Sequence, residues 1–133
     1  MVFPSSLIQT ILAIPPVTFE PTKTILVLDP PPSSVAGGST VIFTGKLMES
    51  ATRNPVADKT IKIFESDVGR DDLLASGITE SDGNFTIKWT AKKADRLCNT
   101  AEIYGKFEGD DVNKHSASSQ YVIVLKSGKK TRE

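Results

Sequence analysis

The sequence predicts an all-β protein, an antiparallel sandwich of two sheets with about seven strands in Greek-key order. Three observations carry that expectation. Apolar and polar residues alternate with a period of two over most of the chain from Thr22 to Leu125. Gly, Pro, Asn and Asp clusters interrupt the alternation at intervals of roughly ten to fifteen residues. No segment in that range carries the apolar stripe of a core helix. The longer polar connections at residues 49–59 and 91–99 suit returns between sheets, and several strands keep one polar face, which favours a sandwich over a barrel.

Taken in order, residues 1–21 form an apolar N-terminal segment, 22–126 the sandwich, and 127–133 (SGKKTRE after Lys126) a polar tail with no apolar residue. In the first segment Ile8, Ile11 and Leu12 sit at helical spacing, yet Leu7, Ile8, Ile11 and Ile14 are equally good strand formers. Pro4, Pro15, Pro16 and Pro21 prevent one long element, so helix and strand both stay open. The first strand is Thr22–Asp29 (TKTILVLD), ended by Pro30-Pro31-Pro32, which have no N–H to give a ladder. Gly37-Gly38 turns the chain into STVIFTGKL, with Val41, Phe43, Gly45 and Leu47 on one face. A third strand, Lys59–Ser66, points Ile61 and Ile63 inward. The charged loop DVGRDD leads to a strand over Leu73–Thr79. Ser81-Asp82-Gly83-Asn84 predicts a tight hairpin, because Gly and Asn tolerate the positive φ it needs. Phe85, Ile87 and Trp89 then alternate with Thr86 and Lys88. In the last third Ala101, Ile103, Gly105 and Phe107 oppose Glu102, Tyr104 and Lys106. The closing strand Tyr121–Leu125 is apolar on both faces, as a strand between two neighbours can be.

Composition narrows the function classes. With 133 residues, 38% of them hydrophobic, the chain supports one core. Lys plus Arg equals Asp plus Glu at 16 each, which argues against a nucleic-acid partner, since such a partner calls for a basic excess. The single cysteine, Cys98, excludes an intrachain disulfide. MVFPSSLIQTILAI resembles the apolar part of a signal peptide but lacks a basic n-region and a small-residue cleavage site. It is also shorter than the roughly twenty residues a membrane span needs. The expectation is therefore no membrane span.

The segments VAGGSTVIFTGKL, NPVADKTIKIFE, ITESDGNFTIKW and AEIYGKFEGDDVNKHSASSQYVIV together resemble the immunoglobulin-like repeats of bacterial and archaeal cell-surface proteins, the type sometimes called group 3. The ESDGNF turn also resembles that of carboxypeptidase-regulatory-like and pilin-type B sandwiches. The resemblance covers about Thr22 to Leu125. It implies an immunoglobulin-like sandwich, extracellular or at a cell surface, secreted or anchored, that spaces, adheres or assembles without catalysis. Its partners would be other protein modules or subunits. Residues 1–21 have no counterpart in such repeats, and only one copy is present.

Candidate sites stand beside plainer readings. Three acidic clusters, Asp67, Asp71 and Asp72, then Glu80 and Asp82, then Glu108, Asp110 and Asp111, could offer oxygens to Ca²⁺ if two loops met at one end; otherwise their carboxylates cap local N–H groups. No other cofactor is expected. His115 stands alone, without a second His or a paired Cys, and reads as a solvated loop residue. Cys98 has Lys92, Lys93 and Arg96 nearby but no His partner, and reads as a small apolar residue at the start of a strand. Asn84-Phe85-Thr86 is a glycosylation sequon at an exposed turn. Trp89, Tyr104 and Tyr121 could form a sugar-stacking platform, although Trp89 shares the inward face with Phe85 and Ile87. No nucleophile–base–acid order, phosphate loop or buried carboxylate pair is legible, and the chain reads as a non-enzyme. Two functions follow: a structural or adhesive module, or a filament or oligomer subunit in which Leu7, Ile8, Ile11, Leu12 and Ile14 complete a neighbour's sheet as a donor strand. A glycan- or Ca²⁺-binding module is the third reading.

Overall fold

The computed structural model describes residues 20–91 and 98–126, with the side chains of Cys98 and Asn99 outside the description. The expectations for residues 1–19 and 127–133 lie outside the described residues, as do Lys92, Lys93 and Arg96. The described residues are all-β and form two packed sheets. The strands are β1 (Thr24–Leu28), β2 (Ser34–Ala36), β3 (Thr40–Glu49), β4 (Thr60–Glu65), β5 (Asp72–Ile78), β6 (Asn84–Thr90), β7 (Cys98–Phe107), β8 (Ser116–Ala117) and β9 (Tyr121–Lys126). One sheet has the order β1-β3-β6; the other runs β2-β9-β7-β4-β5, with β8 also on β7.

The alternation read from the sequence decides which side chains meet between the sheets. Val41, Phe43 and Leu47 of β3 and Phe85, Ile87 and Trp89 of β6 are buried from one sheet. Ile61, Ile63, Ala101, Ile103, Phe107, Ile123 and Leu125 are buried from the other. Phe43 and Trp89 stack at 6.1 Å in the middle of this layer. The crossovers expected after β3 and after β6 are present, since β3 and β6 lie in one sheet and β4 and β7 in the other. Buried Thr79 closes its own polar accounts: it takes the Lys59 N–H on Oγ1 at 3.0 Å and gives its N–H to the Lys59 carbonyl at 2.9 Å.

One expectation needs correction. The Asp82-Gly83 turn is present, with Gly83 at φ 80° and the Glu80 N–H donating to the Asn84 carbonyl at 2.8 Å. It does not, however, join a paired hairpin. β5 belongs to one sheet and β6 to the other, so the turn carries the chain across the sandwich. The reason is packing: a side chain at Gly83 would meet the Leu47 carbonyl at 2.5 Å, so the turn is seated against β3. The closing strand does lie between two neighbours, β2 and β7, as its apolar sequence predicts. Val122 on its outer side is 53% exposed, while Ile123 and Leu125 are buried.

Two short strands escaped the sequence reading. β2 pairs in parallel with β9, Val35 facing Leu125 in register, directly after the triple proline. β8 continues toward β9 along the same side of β7, with the Ser118 N–H donating to the Gly105 carbonyl between them. The first segment therefore switches sheets. Thr22 bridges Asn113, β1 pairs with β3, and β2 joins β9. Tyr121 fastens the switch by donating its hydroxyl to the Leu28 carbonyl at 3.0 Å.

Registers also fix two poles. At the first, Thr24 faces Glu49, Lys46 faces Asn84, and Thr22 bridges Asn113. At the second, Lys126 faces Cys98 and takes the Gly37 N–H, while Ala91 takes the Gly38 N–H. The described residues begin at the first pole, by Thr22, and end at the second, at Lys126, about 30 Å away by the length of a ten-residue strand such as β3.

Candidate functional surface

The acidic residues singled out for Ca²⁺ do not converge. Lys62 of β4 faces Lys106 of β7, and Glu65 faces Ile103. That antiparallel register sends residues 66–71, after β4, to the second pole, and residues 108–111, after β7, to the first. Glu80 and Asp82, in the β5–β6 turn, lie at the first pole. Among the described residues no group of three or more His, Cys, Asp or Glu is placed to hold a metal ion.

In each cluster at least one carboxylate is instead bonded to its own loop or to a neighbouring strand. Asp71 takes the Asp67 N–H on Oδ1 at 3.2 Å and the Tyr104 hydroxyl on Oδ2. The Tyr104 bond, then the Asp67 N–H, holds the Asp71 carboxyl below its ordinary range, and the same bond pushes the Tyr104 phenol up to about 12. Asp82 takes both the backbone and side-chain N–H of Asn84, at 2.9 and 3.0 Å. Glu108 pairs with Lys62 at 2.9 Å, and this pair holds its carboxyl low. Asp110 pairs with Lys59 and takes the Val112 and Asn113 N–H groups on Oδ1 at 2.9 and 2.8 Å. Lys59 first, and those two N–H groups next, bring Asp110 down to about 2. Between the two lysines and this loop lies an open depression lined by Lys59, Lys62, Phe107, Glu108 and Asp110.

The Asp110 cluster sets a pH expectation. A carboxyl lowered in the folded state contributes stability above its unfolded value, near 3.8, and loses it as pH falls through about 2. The melting temperature should therefore decline between those two values. Lys59→Met should flatten that part of the profile by lowering the neutral-pH value toward the acid one, a small change because the pair is solvent-exposed. Thermal melts at stepped pH check it; an unchanged acid limb in the variant would contradict it.

The remaining candidates separate. His115 is exposed at the first pole. Cys98 does begin β7. Asn84 is exposed at the start of β6, and its sequon partner Thr86 is exposed while Phe85 is buried. The three aromatics form no common platform: Trp89 is in the core, Tyr121 packs against the core from the inside, and only Tyr104 faces outward. Sequence reading missed the partner of Tyr104. Phe64, also out of phase with its buried neighbours, stacks on it at 5.7 Å from the adjacent strand. The signal was available as an aromatic immediately after an inward isoleucine in both strands, Ile63-Phe64 and Ile103-Tyr104. It needed the β4–β7 register to become a pair.

Comparison with known proteins returns no matching family model and no matching curated protein. Among the described residues no helix is long and apolar enough to cross a membrane.

Proposed function

We propose that the chain is a non-catalytic immunoglobulin-like structural module of a secreted or cell-surface prokaryotic protein, acting as a spacer or assembly unit. The observation that carries this reading is the polarity of the fold. The described sandwich begins at one pole and ends at the other, so copies or neighbours joined through these ends would string out along one axis. The strand order supports an immunoglobulin-like Greek key, with β1-β3-β6 against β5-β4-β7-β9 and β2 added beside β9. The acidic loops support it too, because their carboxylates serve lysines and local N–H groups of the scaffold. The test is protease treatment of intact source cells, followed by detection of the chain. Loss of signal with a cytoplasmic marker preserved agrees with the proposal; protection until lysis overturns it.

A second reading has an observation of its own. β1 and β5 are outermost strands of their sheets, and β5 (DLLASGI) lacks the lysine and proline that usually guard an edge. Residues 1–21, through Leu7, Ile8, Ile11, Leu12 and Ile14, would add to such an edge in a neighbour as a donor strand. Removing residues 1–19 and measuring mass in solution tests it; an unaltered oligomeric state rules it out.

A further inference from the structure

The outer face of the larger sheet carries a pattern unrelated to the poles. Leu73 of β5 stands opposite Phe64 of β4, and Phe64 opposite Tyr104 of β7. These three make an apolar row running across the strands. Leu73 is 55% exposed, and Val122, beside Glu102 on the next strand, is 53% exposed. Two residues along β7 on one side of the row is Lys106; two residues on the other side is Glu102. Ala117, exposed, lies opposite Lys106 just as Val122 lies opposite Glu102.

We infer that this face is a homotypic interface, in which two copies pack face to face about a two-fold axis lying along the row Leu73–Phe64–Tyr104. An axis in that position sets each residue of the row against its own counterpart. It sets Lys106 of each copy over Glu102 of the other, twice, and Val122 of each over Ala117 of the other. An isologous contact demands this reciprocity, residue i on j and j on i. Self-complementary charge on one surface is an argument for a second copy over an unlike partner. The formal net charge of zero adds no repulsion between copies. Tyr104 is already fixed by its bond to Asp71 and its stack on Phe64, so docking costs it little rotamer freedom. Five strands ~4.8 Å apart and about seven residues long present roughly 500 Å² of projected face, the low end for a specific contact. The association is accordingly weak and concentration-dependent, and it stands independently of the spacer reading.

Sedimentation equilibrium of the full chain from about 1 to about 500 μM tests this. The expected result is a monomer–dimer equilibrium. Leu73→Glu should abolish it, and Glu102→Lys and Lys106→Glu should each weaken it at least about tenfold, by placing like charges opposite one another twice. The double exchange, Glu102→Lys with Lys106→Glu, should restore it to within about threefold of the original. All three positions are on the sheet's solvent side, and melting curves confirm that the variants fold. A monomer throughout the range overturns the inference, as does a dimer indifferent to the single reversals or one the double exchange fails to restore. A dimer lost only when residues 1–19 are removed also overturns it, in favour of donor-strand exchange.

Discussion

Replacing Gly45 with alanine should lower the melting temperature by roughly 10–20 °C, the consequence of about 3 kcal/mol or more lost from a domain of this size. Gly45 sits in β3 between Leu28 of β1 and Phe85 of β6. A Cβ there would meet the Val27 carbonyl oxygen at 2.1 Å and the Phe85 ring at 2.5 Å. The ring could rotate away at some packing cost. The carbonyl cannot, because β1 is held to β3 through Thr24–Leu28 and moving Val27 pulls that ladder apart. Most small overpacking substitutions cost 1–3 kcal/mol or so; a clash with backbone on an edge pairing belongs at or above the top of that range. Thermal denaturation followed by circular dichroism measures it. A shift under about 3 °C would mean that β1 is not paired as described.

Phe85→Ala should cost about 3–5 kcal/mol. Phe85 is 1% exposed and fills the space above Gly45 between the sheets. Its removal forfeits the transfer energy of the ring and leaves a cavity that the rigid β3–β6 ladder collapses into only partly. Denaturant titration gives the value from the midpoint at unchanged slope. The two substitutions are coupled as well. In the double variant the ring no longer meets the new methyl group, so the combined loss should fall short of the sum of the single losses. What remains of the Gly45→Ala cost in that background isolates the Val27 carbonyl.

The parts of the fold that were legible in the sequence are those whose local pattern is dictated by burial on one face. The alternations Val41-Phe43-Gly45-Leu47, Phe85-Ile87-Trp89 and Ala101-Ile103-Gly105-Phe107 each put the correct residues in the core. β2 was not legible, because three residues after a triple proline carry too short a pattern, and their stability comes from Leu125 and its neighbours ninety positions away. The Asp82-Gly83 turn was read correctly as a turn and wrongly as a ladder. Turn chemistry depends on four residues, whereas the sheet that each flanking strand joins depends on the whole topology.

The candidate surface was legible in its residue types and not in its grouping. Asp67, Asp71 and Asp72 are close to Glu108, Asp110 and Asp111 only if β4 and β7 send their loops the same way, and the antiparallel register sends them apart. The same register supplied what the sequence concealed: Lys62 beside Glu108, Lys59 beside Asp110, and Tyr104 against both Asp71 and Phe64. Those contacts span 33 to 51 positions along the chain, a distance over which periodicity carries no information. Lys106 and Glu102, four residues apart along β7, were visible throughout. Their significance as a reciprocal pair appears only once the apolar row between them is drawn across the sheet.

The spacer reading makes a mechanical claim, since a module strung between its poles carries tension along the axis joining them. Pulled from the two ends, β2 is drawn back toward the first pole while β9, its parallel neighbour, is drawn toward the second. The Ser34–Ala36 pairing with Val124–Lys126 is then loaded in shear, with all of its bonds strained together. The flanking bonds from the Gly37 N–H to Lys126 and from the Val124 N–H to Ser33, each 2.8 Å, share that load. Pulling through Thr60 and Ile78 instead, at the open end of the β4–β5 pair, breaks bonds one after another. Single-molecule force spectroscopy in the two geometries is the most direct test. One cooperative rupture is expected from the ends, at a clearly higher force than through Thr60 and Ile78; a lower or equal force from the ends would overturn the spacer reading.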